Sequence, residues 1–212
     1  MSNANLNISA SGDLRHVVHT ISSLPSDFSG KLHILINDMN PIVICRNLML
    51  LLILGTISDE VIAADVALHF WYSAFIPEKY LVEISSAVMS FLRHGSNIFP
   101  LGPHSTLSCW LSPHVKHCLS YFFSFESSIS VRDAQNEYAR VRNAPSRCDF
   151  RDRMYVGLRP SHRVAFQEYR RSGIILPFGA SKAHFNCPNR SLFSPDCHWL
   201  QTDYADPLEG WE

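Results

Sequence analysis

The stretch from Ile42 to Leu54 narrows the choice of fold more than any other feature of this chain. Arg46 and Asn47 interrupt it and leave only Leu48 to Leu54 unbroken, whereas a membrane-spanning helix needs about 20 apolar residues. The stretch therefore predicts a helix buried on nearly all sides, of the kind that lies against a sheet inside an α/β domain. Such a helix needs a core around it. With 212 residues, 46% of them hydrophobic and 17% charged, the chain is long enough to supply one, as one large or two small domains.

The flanking pattern gives the architecture. Leu6, Ile8 and Ala10 alternate with Asn7 and Ser9, which predicts a strand over Asn5 to Ala10 ending at Ser11-Gly12-Asp13. Leu14, Val17, Val18, Ile21 and Leu24 then keep helical spacing, with Ser11 or Asp13 as cap and Pro25 as stop. Lys31 to Asn37 reads as a second strand closed by Asp38. Asp38 or Asn40 can cap the buried helix, Pro41 suits its first position, and Gly55 reads as its C-terminal glycine. Strand, helix, strand, helix forces the two strands parallel, the opening of a Rossmann-like, doubly wound sheet.

Helical signals continue: Ser58, Asp59 and Glu60 open a helix running towards Phe75, and Pro77 opens another whose stripe Tyr80, Leu81, Ile84, Val88, Phe91 and Leu92 ends before Gly95. Asn97 to Pro113, rich in Pro and Gly, reads as a connection. It divides the chain into an α/β domain over 1–106 and an Arg-rich extension over 107–212 packed upon it. The extension holds a helix from Ser130 to about Asn143, another from Pro160 to Gly173, and a short strand from Ile174 to Phe178. The last 34 residues have no period and are expected to pack through Phe185, Phe193 and Trp199.

The net charge is −1, from 18 Lys plus Arg against 19 Asp plus Glu, so no global field invites nucleic acid or an anionic membrane. Ten Arg lie between Arg132 and Arg171 among aromatics, but Asp133, Glu137, Asp149, Asp152 and Glu168 are interleaved with them. Salt bridges or a charged protein-contact surface fit that alternation better than nucleic-acid binding. Six Cys without a C-x-x-C pair read as thiols of a reducing, cytoplasmic compartment. His184, Cys187, Cys197 and His198, or Cys109, His114, His117 and Cys118, lack the paired spacing of a zinc site, and no metal is assigned. G-x-S-x-G, Walker A and H-E-x-x-H are all missing.

One candidate site remains. In a doubly wound sheet the turn Ser11-Gly12-Asp13-Leu14-Arg15-His16 and the acid Asp38 face one crevice at the carboxyl ends of the strands. Asp38 could hydrogen-bond ribose hydroxyls, and the helix start after Gly12 could receive a carboxylate or phosphate. The same residue types also serve as caps without any ligand. On the capping alternative Asp13 caps its own helix, Arg15 turns away from it to pair with Asp38, and Asp13 and His16 share one side.

The stretches Ser11 to Ile21, Leu32 to Asp38, Arg46 to Leu51 and Phe70-Trp71-Tyr72-Ser73 resemble a fungal N-terminal domain-of-unknown-function family that often accompanies MYND-type zinc fingers. They are also similar to the N-terminal region of dynein axonemal assembly factor 3. Arg147 to Tyr155, Phe166 to Phe178, Pro188 to Phe193 and Asp206 to Trp211 continue the resemblance. It implies a class I methyltransferase-like fold. S-adenosylmethionine would then lie with its amino-acid end at Ser11, Gly12 and Asp13 and its ribose on Asp38. The single glycine of the turn, Gly12, departs from the Gly-rich cofactor loop of such enzymes. The expectation is therefore a non-enzymatic interaction or assembly module with a protein partner, the alternative being an S-adenosylmethionine-dependent methyltransferase.

Overall fold

In the computed structural model, the described residues are 4–9, 11–123, 129–144, 153, 155–177, 179–194 and 196–200. The first strand β1, Ala4–Ser9, and the second, β2, Leu32–Asn37, pair in parallel from Ala4 with Leu32 to Ser9 with Asn37. Helix α1, Arg15–Ser22, is the crossover between them. Leu6, Ile8, Leu32, Ile34 and Ile36 point to the inner face and are half-buried, whereas Asn5, Asn7, Ser9, His33 and Asn37 are exposed on the outer one. Ala10, expected in β1, lies outside the described residues.

The chain is thus a mixed α/β protein, but the expected doubly wound sheet is not what surrounds the apolar helix. Among the described residues the parallel sheet has two strands, and its outer face carries Asn5, Asn7, Ser9, His33 and Asn37 with one apolar residue, Leu35, which is left exposed. The apolar helix α2, Pro41–Thr56, packs instead against α3, Glu60–Tyr72, α4, Glu78–Arg93, and α5, Pro113–Phe123. Leu48, Met49, Leu50, Leu52 and Ile53 of α2 are buried in one cluster with Val66, Phe70, Ile84, Val88, Val115, Leu119 and Phe122. No helix among the described residues is long and apolar enough to cross a membrane.

Local chemistry explains the boundaries. Asn40 caps α2 by accepting the Ile42 N–H at 2.9 Å, with Pro41 at the first position. Asp59, not Ser58, caps α3 through the N–H groups of Val61 and Ile62. Gly55 is not the end of α2: the helix runs on to Thr56, and a Cβ on Gly55 would lie 2.6–3.1 Å from atoms of Leu101. Leu101 belongs to β4, Ile98–Leu101, which forms an antiparallel hairpin with β5, Ser105–Ser108, within the expected connection. Gly55 is therefore a close-approach glycine.

Beyond the hairpin, α6, Val131–Arg142, starts at Ser130, whose Oγ accepts the Asp133 N–H at 3.0 Å. Helix α7, Pro160–Ser172, stops at Gly173 in the left-handed region, φ 71°. The strand expected from Ile174 is absent. Residues 174–177 run without a ladder partner, and Phe178 lies outside the described residues. The strand that does form is β6, Cys187–Pro188, antiparallel to β3, Phe75–Ile76. Phe193 is buried in a second apolar cluster with Phe75, Tyr138, Ile174 and Leu192, and Phe185 and Trp199 pack against it.

Candidate functional site

The turn after β1 and the acid after β2 do meet, and they meet each other. The Gly12 N–H, exposed by a positive φ of 55°, donates to Asp38 Oδ2 at 3.0 Å, and Asp38 Oδ1 accepts the Asn40 N–H at 2.8 Å. Asp13 Oδ1 accepts both the Arg15 N–H at 3.0 Å and Arg15 Nε at 2.9 Å. Arg15 therefore pairs with Asp13, in a partly exposed ion pair at 2.7 Å, rather than turning away to Asp38. A two-residue separation permits this because Asp13 precedes the helix and its side chain folds back over the first turn, as an Asx turn does. Ser11 is buried and its N–H donates to Asn37 O, while His16 is exposed.

This arrangement has a chemical consequence. An anion arriving at the start of α1 would need N–H groups, but those of Gly12 and Arg15 already face carboxylates of the chain. It would also meet the charges of Asp13 and Asp38. A ribose would find both oxygens of Asp38 bonded to backbone. Asn47 of α2 closes the turn from below, its Nδ2 donating to Gly12 O at 2.8 Å.

A second polar cluster, which the sequence reading does not identify as a unit, lies at the C-terminal end of α3. Ser73 N–H donates to His69 O, and the helix offers no further N–H to the carbonyls that follow. Asn189 Nδ2 donates to Phe70 O at 2.8 Å and Ser73 O at 2.9 Å. Arg46 Nη2 donates to Trp71 O at 3.0 Å, and Tyr169 Oη donates to Tyr72 O at 3.0 Å. Three side chains from α2, α7 and the segment after β6 thus cap four successive carbonyls. Arg46 Nη1 also donates to Ser191 O and Oγ, and the Ser191 hydroxyl donates to Asn189 Oδ1. The two polar residues that interrupt the apolar stretch, Arg46 and Asn47, are therefore the ones that tie α2 to these two places. Their occurrence inside a buried helix was the available signal, since a buried polar group must find a partner.

Asp65, His69 and Ser73 extend this cluster along one face of α3. His69 Nδ1 lies 2.9 Å from Ser73 Oγ, and Nε2 lies 3.5 Å from Asp65 Oδ1. Tyr80 Oη donates to Asp65 Oδ2. The order resembles a serine hydrolase relay, but Ser73 is fully buried and its Oγ accepts the Ile175 N–H at 3.1 Å, so no substrate reaches it. Burial pushes the His69 ring below its ordinary value, with Asp65 acting in the opposite sense.

Several guanidinium groups of the Arg-rich half bind within that half. Arg142 is buried among the rings of Tyr138, Tyr169 and Trp199, at 5.3, 5.6 and 5.5 Å. Arg140 pairs with Glu137, Arg171 with Glu168, and Arg163 donates to Leu158 O and Val156 O. Of the run Arg147 to Arg153, in which the charges alternate, residues 147–152 lie outside the described residues. Among the described residues no three His, Cys, Asp or Glu gather as metal ligands, and the five described cysteines are free thiols. A half-open cleft of about 220 Å³ lies between α7 and residues 174–182, with Glu168 and Lys182 joined as an ion pair at its wall.

Residues 1–76, about a third of the chain, match the model of a domain of unknown function (DUF4470). No curated protein and no solved structure matches the chain.

Proposed function

We propose that this protein is a non-enzymatic interaction or assembly module, cytoplasmic, working through a protein partner, with the parallel β1–α1–β2 unit as the part it has in common with a Rossmann-like, class I methyltransferase-type scaffold. One observation carries the reading: the turn where a methyltransferase would hold its cofactor is closed by the chain's own carboxylates, Asp38 on the Gly12 N–H and Asp13 on the Arg15 N–H. The resemblance read from the sequence points the same way, as do several exposed apolar side chains. Met39 is fully exposed and Trp110 is 86% exposed, positions where burial by a partner would be favourable.

Calorimetry of the 212-residue chain with S-adenosylmethionine and its demethylated product tests the reading. The expected result is no heat at millimolar ligand. Micromolar affinity, about −8 kcal/mol, lost in Asp38→Ala, would establish the methyltransferase alternative in its place.

A further inference from the structure

We propose that His69 is a pH-sensitive latch: the neutral ring holds the segment 173–189 against the C-terminal end of α3, and protonation of the ring releases it. The neighbouring charge favours one tautomer. Nε2 faces the Asp65 carboxylate at 3.5 Å, which favours the hydrogen on that nitrogen, and Nδ1 then accepts from the Ser73 hydroxyl at 2.9 Å. Ser73 Oγ in turn accepts the Ile175 N–H at 3.1 Å. The hydroxyl thereby passes the state of the ring to the segment that follows α7. Next to it, Ala74 N–H donates to Gly173 O and Asn189 N–H to Ala74 O, and the Phe185 ring lies 4.7 Å from the imidazole. Three stretches of the second half thus converge on the turn beside one buried histidine.

A second proton on the ring would sit on Nδ1 and point at Ser73 Oγ. The hydroxyl could then no longer donate to Nδ1, and its hydrogen would be turned away from the one acceptor it has among the described residues. The imidazolium would also be charged in a site where His69 is 3% exposed. Among the described residues the titratable groups facing it are Asp65 on its own helix and Tyr80 from α4, whose ring lies 5.9 Å away. The Lys79 ammonium lies over the Tyr80 ring, and Phe185 presents only its ring. Asp65 alone favours the proton, and it already accepts from Tyr80; desolvation opposes the proton and is the larger influence.

The direction follows from linkage. With the ring's affinity for protons lowered in the closed form, the latch is fully closed above the ordinary histidine value, about 6.5. It weakens as pH falls below that value, until the closed form itself takes the proton. Hydrogen exchange of the full chain at pH 7.5 and 5.5, corrected for intrinsic rates, reads the opening of residues 173–189. The expected result is a rise at pH 5.5 of up to about tenfold, the ceiling for one proton over that interval, with β1–β2 amides unchanged and the rise abolished in His69→Gln. If that variant does not fold, the imidazole NMR titration of the wild-type chain decides: His69 is expected to titrate below 6.5, in step with the exchange. Protection that does not change with pH overturns the latch. So does an equal rise in His69→Gln, or a parallel rise in β1–β2, which would mean global acid unfolding.

Discussion

Replacing Asn189 with Ala removes the donor from Phe70 O and Ser73 O and the acceptor from the Ser191 N–H and hydroxyl, all buried. Groups left so cost about 1–3 kcal/mol each, so Asn189→Ala is expected to lower stability by at least about 3 kcal/mol, read as a lower urea midpoint at unchanged slope. The ion pair of Arg15 with Asp13 is one-third exposed and local, so that pair by itself contributes under about 1 kcal/mol. Glu137 adds a pH term of its own: Arg140 holds its carboxyl below the ordinary range, assisted by the Trp199 N–H. That contribution is present above the unfolded carboxylate value and lost as pH falls through the folded one. Glu137→Gln should therefore flatten the acid limb of the stability curve. The capping roles of Asn40 and Ser130 were legible because caps act within two or three residues, whereas the cap expected for α1 from Ser11 or Asp13 does not form: Leu14 holds that position and no side chain caps it. The role of Asn189 was not legible, because its partners lie more than 110 residues away.

Gly55 tests how elements meet. Leu101 of the β4–β5 hairpin occupies the space a side chain there would need, at 2.6–3.1 Å, so Gly55→Ala must push the hairpin away from α2. The expected cost is about 1–3 kcal/mol; a neutral or stabilising effect would show that the hairpin docks loosely. Sequence spacing found β1, β2 and most helices because their burial pattern has a period that can be read locally. It did not find the hairpin, whose inner row is short, nor α5, whose Val115, Leu119 and Phe122 keep helical spacing among His and Lys. It assigned a strand at Ile174 because a short apolar run looks the same whether it pairs or packs. Here Ile174 is buried against Tyr138 and Phe193, and the Ile175 N–H is satisfied by Ser73 Oγ instead of a neighbouring strand.

At the scale of the molecule, the matched domain ends at Ile76, yet three of the four carbonyls at the C-terminal end of its last helix are capped by side chains that lie beyond it. The carbonyls at the end of α3 depend on Tyr169 and Asn189, the interruption at Arg46 depends on Ser191, and α2 depends on Val115, Leu119 and Phe122 for one of its buried sides. Cutting after residue 76 would leave Arg46 without Ser191 and expose much of an apolar helix. A fragment of residues 1–76 is therefore expected not to fold, showing no cooperative transition by circular dichroism and binding a hydrophobic dye. The full chain should instead melt in one transition, with the same midpoint whether followed by Trp fluorescence or by far-ultraviolet signal. Independent cooperative unfolding of 1–76 or of 107–212 would show that the polar seam at α3 joins two finished domains. A single transition abolished by either cut would show that the seam completes one.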